Sequence, residues 1–362
     1  MKITDVKIET FKWPRPRPLS NGKHTYTTQG MTLISIETDQ GITGIGQAAT
    51  RSVVRATLEH FVPMLIGRNP LHHEALWRDM WSPKRIGRRG MTTRAISAID
   101  IALWDIKAKA ANMPLSVLLG QFRDRCETYV AGGYYADGKG LKELADEMES
   151  YVKMGARAVK MKIGAVPIKE DVARVKAARD AIGPDVKLLV DANCAYLPYQ
   201  AMDIARRMEE HDVFWFEEPM EPDDYDGFRR LSAKTSIPVA TGENEYTKFG
   251  FRDLIQSRGA EIINPDAKIC GGITEFMKIA AYAQAHNIAI APHGQQEVHV
   301  HLNAACENAI LLEYYPKEFD PMWGKIFKHT PEINEDGTVS PPDVPGLGME
   351  PLYENLNEYR VA

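Results

Sequence analysis

Three acidic residues stand at the ends of three successive apolar segments of this chain, and they are evenly spaced. Asp191 ends the segment KLLVD, Glu217 ends VFWFE, and Glu243 follows PVATG, each 26 residues after the one before. This interval accommodates one strand, one helix and two loops, so the pattern predicts parallel strands that alternate with helices. If such strands close into a barrel, the three carboxylates converge at its C-terminal face, where the chemistry of these barrels is located.

Converging carboxylates repel one another and require a cation. Ligation by oxygen alone favours a hard ion, with Mg²⁺ preferred over Mn²⁺ or Ca²⁺. An acid at the end of a strand can also cap the next helix. Three acids in one register, accompanied by lysines and a histidine at other strand ends, favour a metal site over three caps. We therefore predict a Mg²⁺ site at the mouth of the barrel.

The composition excludes several classes of protein. The 362 residues allow two domains or one barrel with an attachment, and a net charge of −5 with both signs mixed indicates no nucleic-acid-binding surface. Four scattered cysteines form neither a disulfide framework nor a zinc motif, which is typical of a reduced, cytoplasmic protein. The first ten residues alternate like a strand rather than a signal peptide, and no apolar segment reaches membrane-spanning length.

Residues 1–125 predict an α+β module. Strands are expected at 2–12, 31–38 and 42–48, with a hairpin turn between the last two. Helical patterns follow near 52–65, 71–81 and 91–111, and in the last of these apolar residues recur at helical spacing.

From residue 126 onward, apolar strand segments alternate with amphipathic helical segments. The predicted strands are 126–133, 158–163, 187–192, 213–217, 238–241, 261–265, 289–292 and 309–314. The predicted helices are 139–154, 169–182, 198–210, 247–258, 273–286 and 296–307. We therefore predict an α/β fold, a modified (β/α)8 TIM barrel at 126–320 with an N-terminal α+β capping domain, and a segment 321–362 that packs back on that domain. An open doubly wound sheet is the alternative, although its glycine-rich phosphate turn is missing.

Two lysines lie two residues apart at the end of the second barrel strand, in VKMKIG. Side chains at period two share one face of a strand, so Lys160 and Lys162 point the same way. An outward orientation would turn Val159 and Met161 into the interior and place charges where helices pack, so we predict that the lysines face inward. A neighbouring ammonium and a nearby metal ion both lower the pKa of Lys162, which lets a lysine act as a base near neutral pH.

Three further polar residues end the last three barrel strands. Asp266 follows the sixth strand in INPDAK, His293 the seventh in IAPHG, and Glu313 lies in LLEYY of the eighth. A carboxylate beside an imidazole fixes its tautomer and raises its basicity. The whole set suits removal of a proton next to a carboxylate, because that reaction needs a base and stabilisation of the enediolate that forms.

These motifs resemble the enolase superfamily and, within it, the mandelate racemase subgroup. The segment AISAIDIALWDIKAKA is similar to the signature helix of its capping domain, and VKMKIG, VDAN, FEEP, GEN, PDAKICGG, PHG and LLE follow in the family's order over essentially the whole chain. Such sites use a Lys or His base together with Mg²⁺. The resemblance implies that Lys162 is the base on one face of the substrate and that Asp266 and His293 serve the other face. It assigns the three metal ligands to Asp191, Glu217 and Glu243.

The resemblance also implies supporting roles for three residues. Lys160 would hold the substrate carboxylate and modulate Lys162, Glu313 would donate a hydrogen bond to the enediolate oxygen, and Asn193 would line the site beside the metal ion. Polar groups of the capping loop 19–30 and of the barrel mouth suit a polyhydroxylated acid of about five or six carbons rather than an apolar one. The substrate-binding candidates are His24, Tyr26, Arg51, Tyr135 and Gln295.

The resulting expectation is a sugar-acid dehydratase that acts on an aldonate or aldarate. A racemase, an epimerase or a lactone cycloisomerase would use the same residues, and a binding protein on this fold is a more distant alternative. We expect a small-molecule carboxylate substrate, a homo-oligomer, and neither a nucleic acid nor a membrane as partner.

Overall fold

The computed structural model describes residues 1–361 and has a capping domain joined to a barrel. None of the helices in this range combines the length and the apolar character that a membrane-spanning segment needs. All four cysteines are buried and free, as expected for core residues.

The capping domain is an antiparallel sheet covered by helices. Its strands are β1 (Ile3–Ser20), β2 (Thr25–Thr38) and β3 (Thr43–Ala48), and its helices are α1 (Ser52–Leu65), α2 (His73–Met80), α3 (Pro83–Ile86), α4 (Met91–Ala110) and α5 (Leu115–Leu118). Both β1 and β2 extend beyond the predicted strands, so most of the predicted loop 19–30 is strand. The three prolines of PRPRP concealed this extension in the sequence pattern. The pairing register of β1 and β2 shifts between Pro14 and Leu19, because proline has no N–H to donate to the hydrogen bonds of the sheet.

The tip of the β1–β2 hairpin lies on the barrel. Ser20 and Tyr135 exchange two backbone hydrogen bonds, both of 2.9 Å. The side chain of Lys23, next to the turn, forms an ion pair with Glu221 of a barrel loop. The hairpin therefore reaches the face of the barrel at which the predicted site residues converge.

The second part of the chain alternates strands and helices. The strands are β4 (Cys126–Ala131), β5 (Ala158–Lys162), β6 (Lys187–Asp191), β7 (Val213–Glu217), β8 (Val239–Thr241), β9 (Ile262–Ile263), β10 (Ala289–Ile290) and β11 (Leu312–Tyr314). The helices are α6 (Leu141–Lys153), α7 (Ile168–Ile182), α8 (Pro198–Met208), α9 (Tyr225–Ser232), α10 (Thr247–Ser257), α11 (Gly272–Ala285) and α12 (Gln296–Ala305). The helix α9 was not predicted, because it has only eight residues and most of them are polar.

The eight strands are parallel and curl into a barrel. Strands β4 to β10 are neighbours in chain order, and β11 pairs with β4. The remaining gap is bridged by hydrogen bonds from Ile290 N to Asn308 O and from Ile310 N to Ile290 O, both of 2.9 Å. The predicted barrel is confirmed, and the open doubly wound sheet is wrong.

Alternation within β5 decides which side chains enter the barrel. Val159 and Met161 pack against the surrounding helices in the largest hydrophobic cluster. Lys160 and Lys162 are buried on the opposite, interior face, where Tyr129 and Trp215 form part of the central cluster. The predicted inward orientation of the lysines is confirmed.

Two buried aspartates of α4 join the capping domain to the rest of the molecule. Asp100 accepts hydrogen bonds from the backbone N–H and the hydroxyl of Thr274 on α11, at 2.8 and 2.6 Å. Asp105 accepts from the backbone N–H groups of Ile45 and Leu347, at 2.9 and 2.8 Å. Burial raises the pKa of Asp100 to about 7 against the effect of the Thr274 bonds. The predicted signature helix is thus the connector between cap, barrel and C-terminal segment.

The C-terminal segment contacts both parts. It contains β12 (Thr338–Val339), which pairs with β4, as well as α13 (Tyr353–Leu356) and β13 (Arg360–Val361), which pairs with β1. The domain boundaries at 125 and 320 and the homo-oligomer stay predictions.

We expect Asp100→Ala to lower the free energy of unfolding by about 1–3 kcal/mol, because it leaves the buried N–H of Thr274 without an acceptor. Urea denaturation followed by circular dichroism measures the change. Asp79→Ala is the matched control, since Asp79 is also an acid of the capping domain but pairs with Arg68 at the exposed surface, where a pair contributes less than about 1 kcal/mol. Equal losses in the two variants would contradict the role of Asp100.

Candidate active site

Three acids meet at the C-terminal ends of neighbouring strands. Asp191 and Glu217 are the last residues of β6 and β7 and stand in register with each other, and Glu243 follows β8 by two residues. One carboxylate oxygen from each lies within 4.8 Å of the other two. The convergence predicted from the 26-residue spacing is confirmed.

The charges of this triad are poorly compensated by protein groups alone. Burial and the neighbouring acids raise the pKa of Glu217 to about 8, although Lys160 opposes them. Burial also raises the pKa of Glu243, against the effect of His293, and its Oε2, although 3.4 Å from Nε2 of His293, accepts no hydrogen bond within residues 1–361. Three carboxylate oxygens at this spacing, one of them without a hydrogen bond, fit a divalent cation with oxygen ligands.

Three acids and the hydroxyl of Tyr129 surround the ammonium of Lys160. Its Nζ lies 2.9 and 3.0 Å from the two carboxylate oxygens of Glu217, 2.8 Å from Glu313 and 3.8 Å from Asp191. It is buried beneath the cavity and does not line it. The side chain therefore orients the acids, and the predicted contact with a substrate carboxylate is not what this position offers.

Lys162 lines the cavity and contacts the Oδ2 atom of Asp191. Burial and the charge of Lys160 lower the pKa of Lys162, but Asp191 and Tyr134 outweigh them and the pKa is raised overall. The prediction included a metal ion, which would neutralise Asp191, so the lowered pKa of Lys162 stays a prediction.

Asp266 and His293 form the predicted pair. Nδ1 of His293 lies 3.1 Å from Oδ2 of Asp266, and Nε2 lies 3.4 Å from Glu243. Burial lowers the pKa of His293, but Glu243 and Asp266 outweigh it and raise the pKa to about 10. The imidazole is therefore a cation at neutral pH, with one N–H on Asp266 and the other directed towards the triad.

Glu313 is an acceptor. It receives hydrogen bonds from the backbone N–H of Gly294 at 2.5 Å and the hydroxyl of Tyr315 at 3.1 Å, and it pairs with Lys160. Although burial raises its pKa, Lys160 and His293 outweigh this effect and hold the pKa well below its usual range. In this arrangement Glu313 accepts from these donors, and its donation to an enediolate oxygen stays a prediction.

Two cavities meet at Glu243 of the triad, an inner one of about 280 Å³ and an outer one of about 650 Å³. They share the wall formed by Asn21, Tyr26, Asn193, Glu243 and His293. Glu243, the histidine and the hairpin tip therefore lie between the two spaces.

The predicted substrate-binding residues divide into three groups. Tyr26, Asn193 and Gln295 line the inner cavity, and His24 and Arg51 line the outer one.

Tyr135 lines neither cavity. Its hydroxyl lies 2.5 Å from Asp171, and its ring stacks on Arg174. The adjacent Tyr134 faces the cavity instead, since neighbouring residues of an extended segment point to opposite sides. The placement of Tyr135 in the substrate site is therefore corrected.

Several cavity residues were not foreseen. Arg15 of β1 lies over the ring of Phe319 at 4.6 Å and donates to Gln29 at 2.6 Å. Lys268 and Trp323 also line the inner cavity. The prolines around Arg15 obscured its strand, and Trp323 lies in an irregular segment, so neither carried a periodic signal.

We expect Mg²⁺ to raise the unfolding temperature of the protein, because an ion that binds only the folded state adds about 2.7 kcal/mol at 100 times its dissociation constant. Asp191→Asn, Glu217→Gln and Glu243→Gln should each remove most of this shift in calorimetry. The shift should also shrink as the pH falls below 8, because a proton on Glu217 competes with the ion.

The exposed acid Glu210 supplies the control for this experiment. Glu210→Gln should keep the full shift. Identical unfolding temperatures with and without Mg²⁺ in the unmodified protein would refute the metal site.

The chain matches known families over most of its length. Residues 3–120 match the model described as Mandelate racemase / muconate lactonizing enzyme, N-terminal domain, and residues 143–355 match Enolase C-terminal domain-like. Arabinonate dehydratase of Saccharolobus solfataricus is 37% identical over 337 residues, covering 90% of this chain and 89% of that protein.

Solved structures agree with these matches. A 3,6-anhydro-D-galactonate cycloisomerase from Zobellia galactanivorans superposes with a TM-score of 0.91 and 34% identity over the whole of both chains. An L-talarate/galactarate dehydratase variant liganded with Mg and L-glucarate superposes with a TM-score of 0.92 and 30% identity, covering 100% of this chain and 92% of that one. This protein therefore belongs to the enolase superfamily and, within it, to the mandelate racemase / muconate lactonizing enzyme family.

Proposed function

We propose that the protein is a Mg²⁺-dependent sugar-acid dehydratase, which removes the α-proton of an aldonate or aldarate and expels the β-hydroxyl. One observation carries this proposal. Two proton-transfer groups approach the acidic triad from its two ends, Lys162 at Asp191 and His293 at Glu243, and both line the inner cavity. Departure of a proton and a hydroxyl from adjacent carbons needs one base and one acid.

The acidic triad, Asp191, Glu217 and Glu243, would hold Mg²⁺. When bound, the ion supplies positive charge beside the substrate carboxylate and neutralises Asp191, whose charge otherwise raises the pKa of Lys162. Lys160 fixes Glu217 through both carboxylate oxygens. The triad therefore keeps its geometry independently of the substrate.

Lys162 is the base in this scheme. It reaches the cavity from β5, and Lys160 beside it favours the neutral amine, since two neighbouring ammoniums repel each other. The α-proton of the substrate passes to Nζ, and the electron pair of the C–H bond forms the enediolate.

His293 is the acid. Besides Glu243, Asp266 and Glu313 raise the pKa of His293 and would still favour the imidazolium with Mg²⁺ bound to the triad, and Asp266 fixes the ring so that Nε2–H is directed towards the triad. The proton of Nε2 joins the departing β-hydroxyl, which leaves as water. The enol that remains tautomerises to a 2-keto-3-deoxy acid.

A cycloisomerase is the second candidate, because a named cycloisomerase superposes over the whole chain. In a cyclic sugar acid the same elimination breaks a C–O bond within the ring. The leaving oxygen then stays attached and no water is released. A racemase or epimerase would instead return a proton to the α-carbon, with Lys162 and His293 on opposite faces.

The wall of the inner cavity supports a hydroxylated substrate. Besides Glu243, four of its residues have a buried polar side-chain atom without a hydrogen-bond partner among residues 1–361: Arg15 Nε, Asn193 Oδ1, Gln295 Oε1 and Trp323 Nε1. Hydroxyl groups can satisfy both the donors and the acceptors of this set. Arg15 and Lys268 add positive charge away from the triad, which suits a second carboxylate.

We expect Lys162→Ala and His293→Asn each to lower kcat for dehydration by at least about 10²-fold, the usual effect of losing a general base or acid. Formation of a 2-keto acid from a panel of aldonates, aldarates and their lactones measures turnover. Exchange of the α-proton with deuterium oxide should survive in His293→Asn and disappear in Lys162→Ala. Normal turnover in His293→Asn would refute the acid role.

The protein should turn over hydroxylated acids of about five or six carbons orders of magnitude faster than mandelate, because a site with buried polar groups rejects analogues that leave those groups unpaired. Faster turnover of mandelate would contradict the polar site. A lactone or anhydro acid that is consumed without release of water would move the assignment to cycloisomerase.

Arg15→Met tests whether the positive charge of Arg15 binds a second carboxylate of the substrate. We expect kcat/KM for aldarates to fall about 10- to 100-fold and that for aldonates to fall less, because an ionic hydrogen bond contributes about 1.5–3 kcal/mol. Arg17→Met is the matched control, since Arg17 lies on the same strand but lines only the neighbouring cavity. An equal loss for both substrate classes would assign Arg15 to the support of Phe319 instead.

A further inference from the structure

His299 is a fully buried side chain that connects the two loops carrying the acid–base pair. It lies in the first turn of α12, and both of its ring nitrogens meet backbone groups. Nε2 lies 3.0 Å from the N–H of Ala267, next to Asp266, and Nδ1 lies 2.5 Å from the carbonyl oxygen of Gly294, next to His293.

The two backbone partners determine the tautomer of His299. A carbonyl oxygen only accepts, so Nδ1 carries the proton, and an N–H only donates, so Nε2 is the bare nitrogen. Neither backbone group can exchange its role. The ring is therefore neutral, and a second proton would face the N–H of Ala267 inside a site that already holds the cation of His293. Burial also lowers the pKa of His299.

The ring is also fixed in orientation. Phe276 of α11 stacks on it with 5.9 Å between ring centroids and 28° between ring planes. With both edges bonded and one face covered, His299 holds the loop after β9 and the loop after β10 at a constant separation. These loops set the distance of 3.1 Å between Asp266 and His293.

We infer that His299 is a positioning residue, which in its neutral Nδ1–H form fixes the geometry of the Asp266–His293 pair without touching the substrate. The catalytic effect of His299 rests on the proposed function, whereas its tautomer and its effect on the Asp266–His293 distance do not. A displacement of about 1 Å at a reacting group can slow a reaction about 10²-fold. Loss of the two hydrogen bonds of His299 should therefore lower the rate of the reaction.

His301 supplies a matched control two residues along the same helix. It is equally buried, and its ring also bonds two backbone groups, Ser116 N–H at Nδ1 and Leu347 O at Nε2. These partners belong to the capping side and the C-terminal segment. They require the opposite tautomer, with the proton on Nε2.

The first test needs no substrate. In protein labelled with ¹⁵N-histidine, a buried Nδ1–H ring should disappear from the nitrogen spectrum in His299→Phe, whereas that of His73, whose Nδ1 faces the carbonyl oxygen of Leu71, should remain, and a buried Nε2–H ring should disappear in His301→Phe. A crystal structure of His299→Phe should show the Asp266–His293 separation lengthened beyond about 3.5 Å, the limit of a hydrogen bond. A protonated or Nε2–H ring at 299, or an unchanged separation, would overturn the inference whatever the enzyme's reaction is.

The second test uses the best substrate of the panel. In His299→Phe, dehydration should fall about 10²-fold, whereas α-proton exchange by Lys162, KM and the Mg²⁺-induced rise in unfolding temperature should stay close to wild type. His299→Gln, whose Oε1 can accept from Ala267, should recover part of the loss. His301→Phe should leave the ratio of exchange to dehydration unchanged. A parallel fall of exchange and dehydration in His299→Phe would show a general packing role and refute the inference.

Discussion

The carboxylates of Asp191, Glu217 and Glu243 carry like charges in a barrel that excludes water, and the arrangement of the site follows from their repulsion. Lys160 bridges Glu217 to Glu313, Lys162 contacts Asp191, and His293 faces Glu243. Each base or acid of the proposed reaction is therefore also a counter-ion of a metal ligand. Chemistry and electrostatic balance depend on the same contacts, and a change in one alters the other.

The reactive groups stand on the barrel, whereas much of the polar wall comes from other parts of the chain. Arg15 and Tyr26 belong to the β1–β2 hairpin, and Trp323 belongs to the C-terminal segment. Buried hydrogen bonds from α4 to α11 hold these parts together. The substrate cavity is thus completed only when the capping domain and the C-terminal segment dock on the barrel.

The inward orientation of Lys160 and Lys162 could be predicted because alternation assigns each strand residue to one face and a barrel needs its apolar face outward. The acidic triad could be predicted because its 26-residue spacing matches one strand–helix unit. Three features could not be predicted in this way. Tyr135 lies beyond the last residue of β4, and Gly133, with a φ of 63°, interrupts the alternation of the strand before it. The ionised state of Glu313 and the raised pKa of Lys162 depend on contacts between side chains of different strands. His299 lies in helix α12, after strand β10, and its tautomer depends on two backbone groups that no residue pattern specifies.

The hairpin tip is docked through the main chain, since Ser20 and Tyr135 exchange backbone hydrogen bonds. Such a contact does not depend on which side chains flank it. The exposed residues Lys23 and His24 of the turn between β1 and β2 can therefore be replaced while the hairpin still seats on the barrel, whereas Gly22 cannot, because a Cβ there would lie 2.6 Å from the carbonyl oxygen of Ala192. This separation gives evolution, and protein engineers, a means to exchange selectivity for one acid against another without disturbing the groups that move protons.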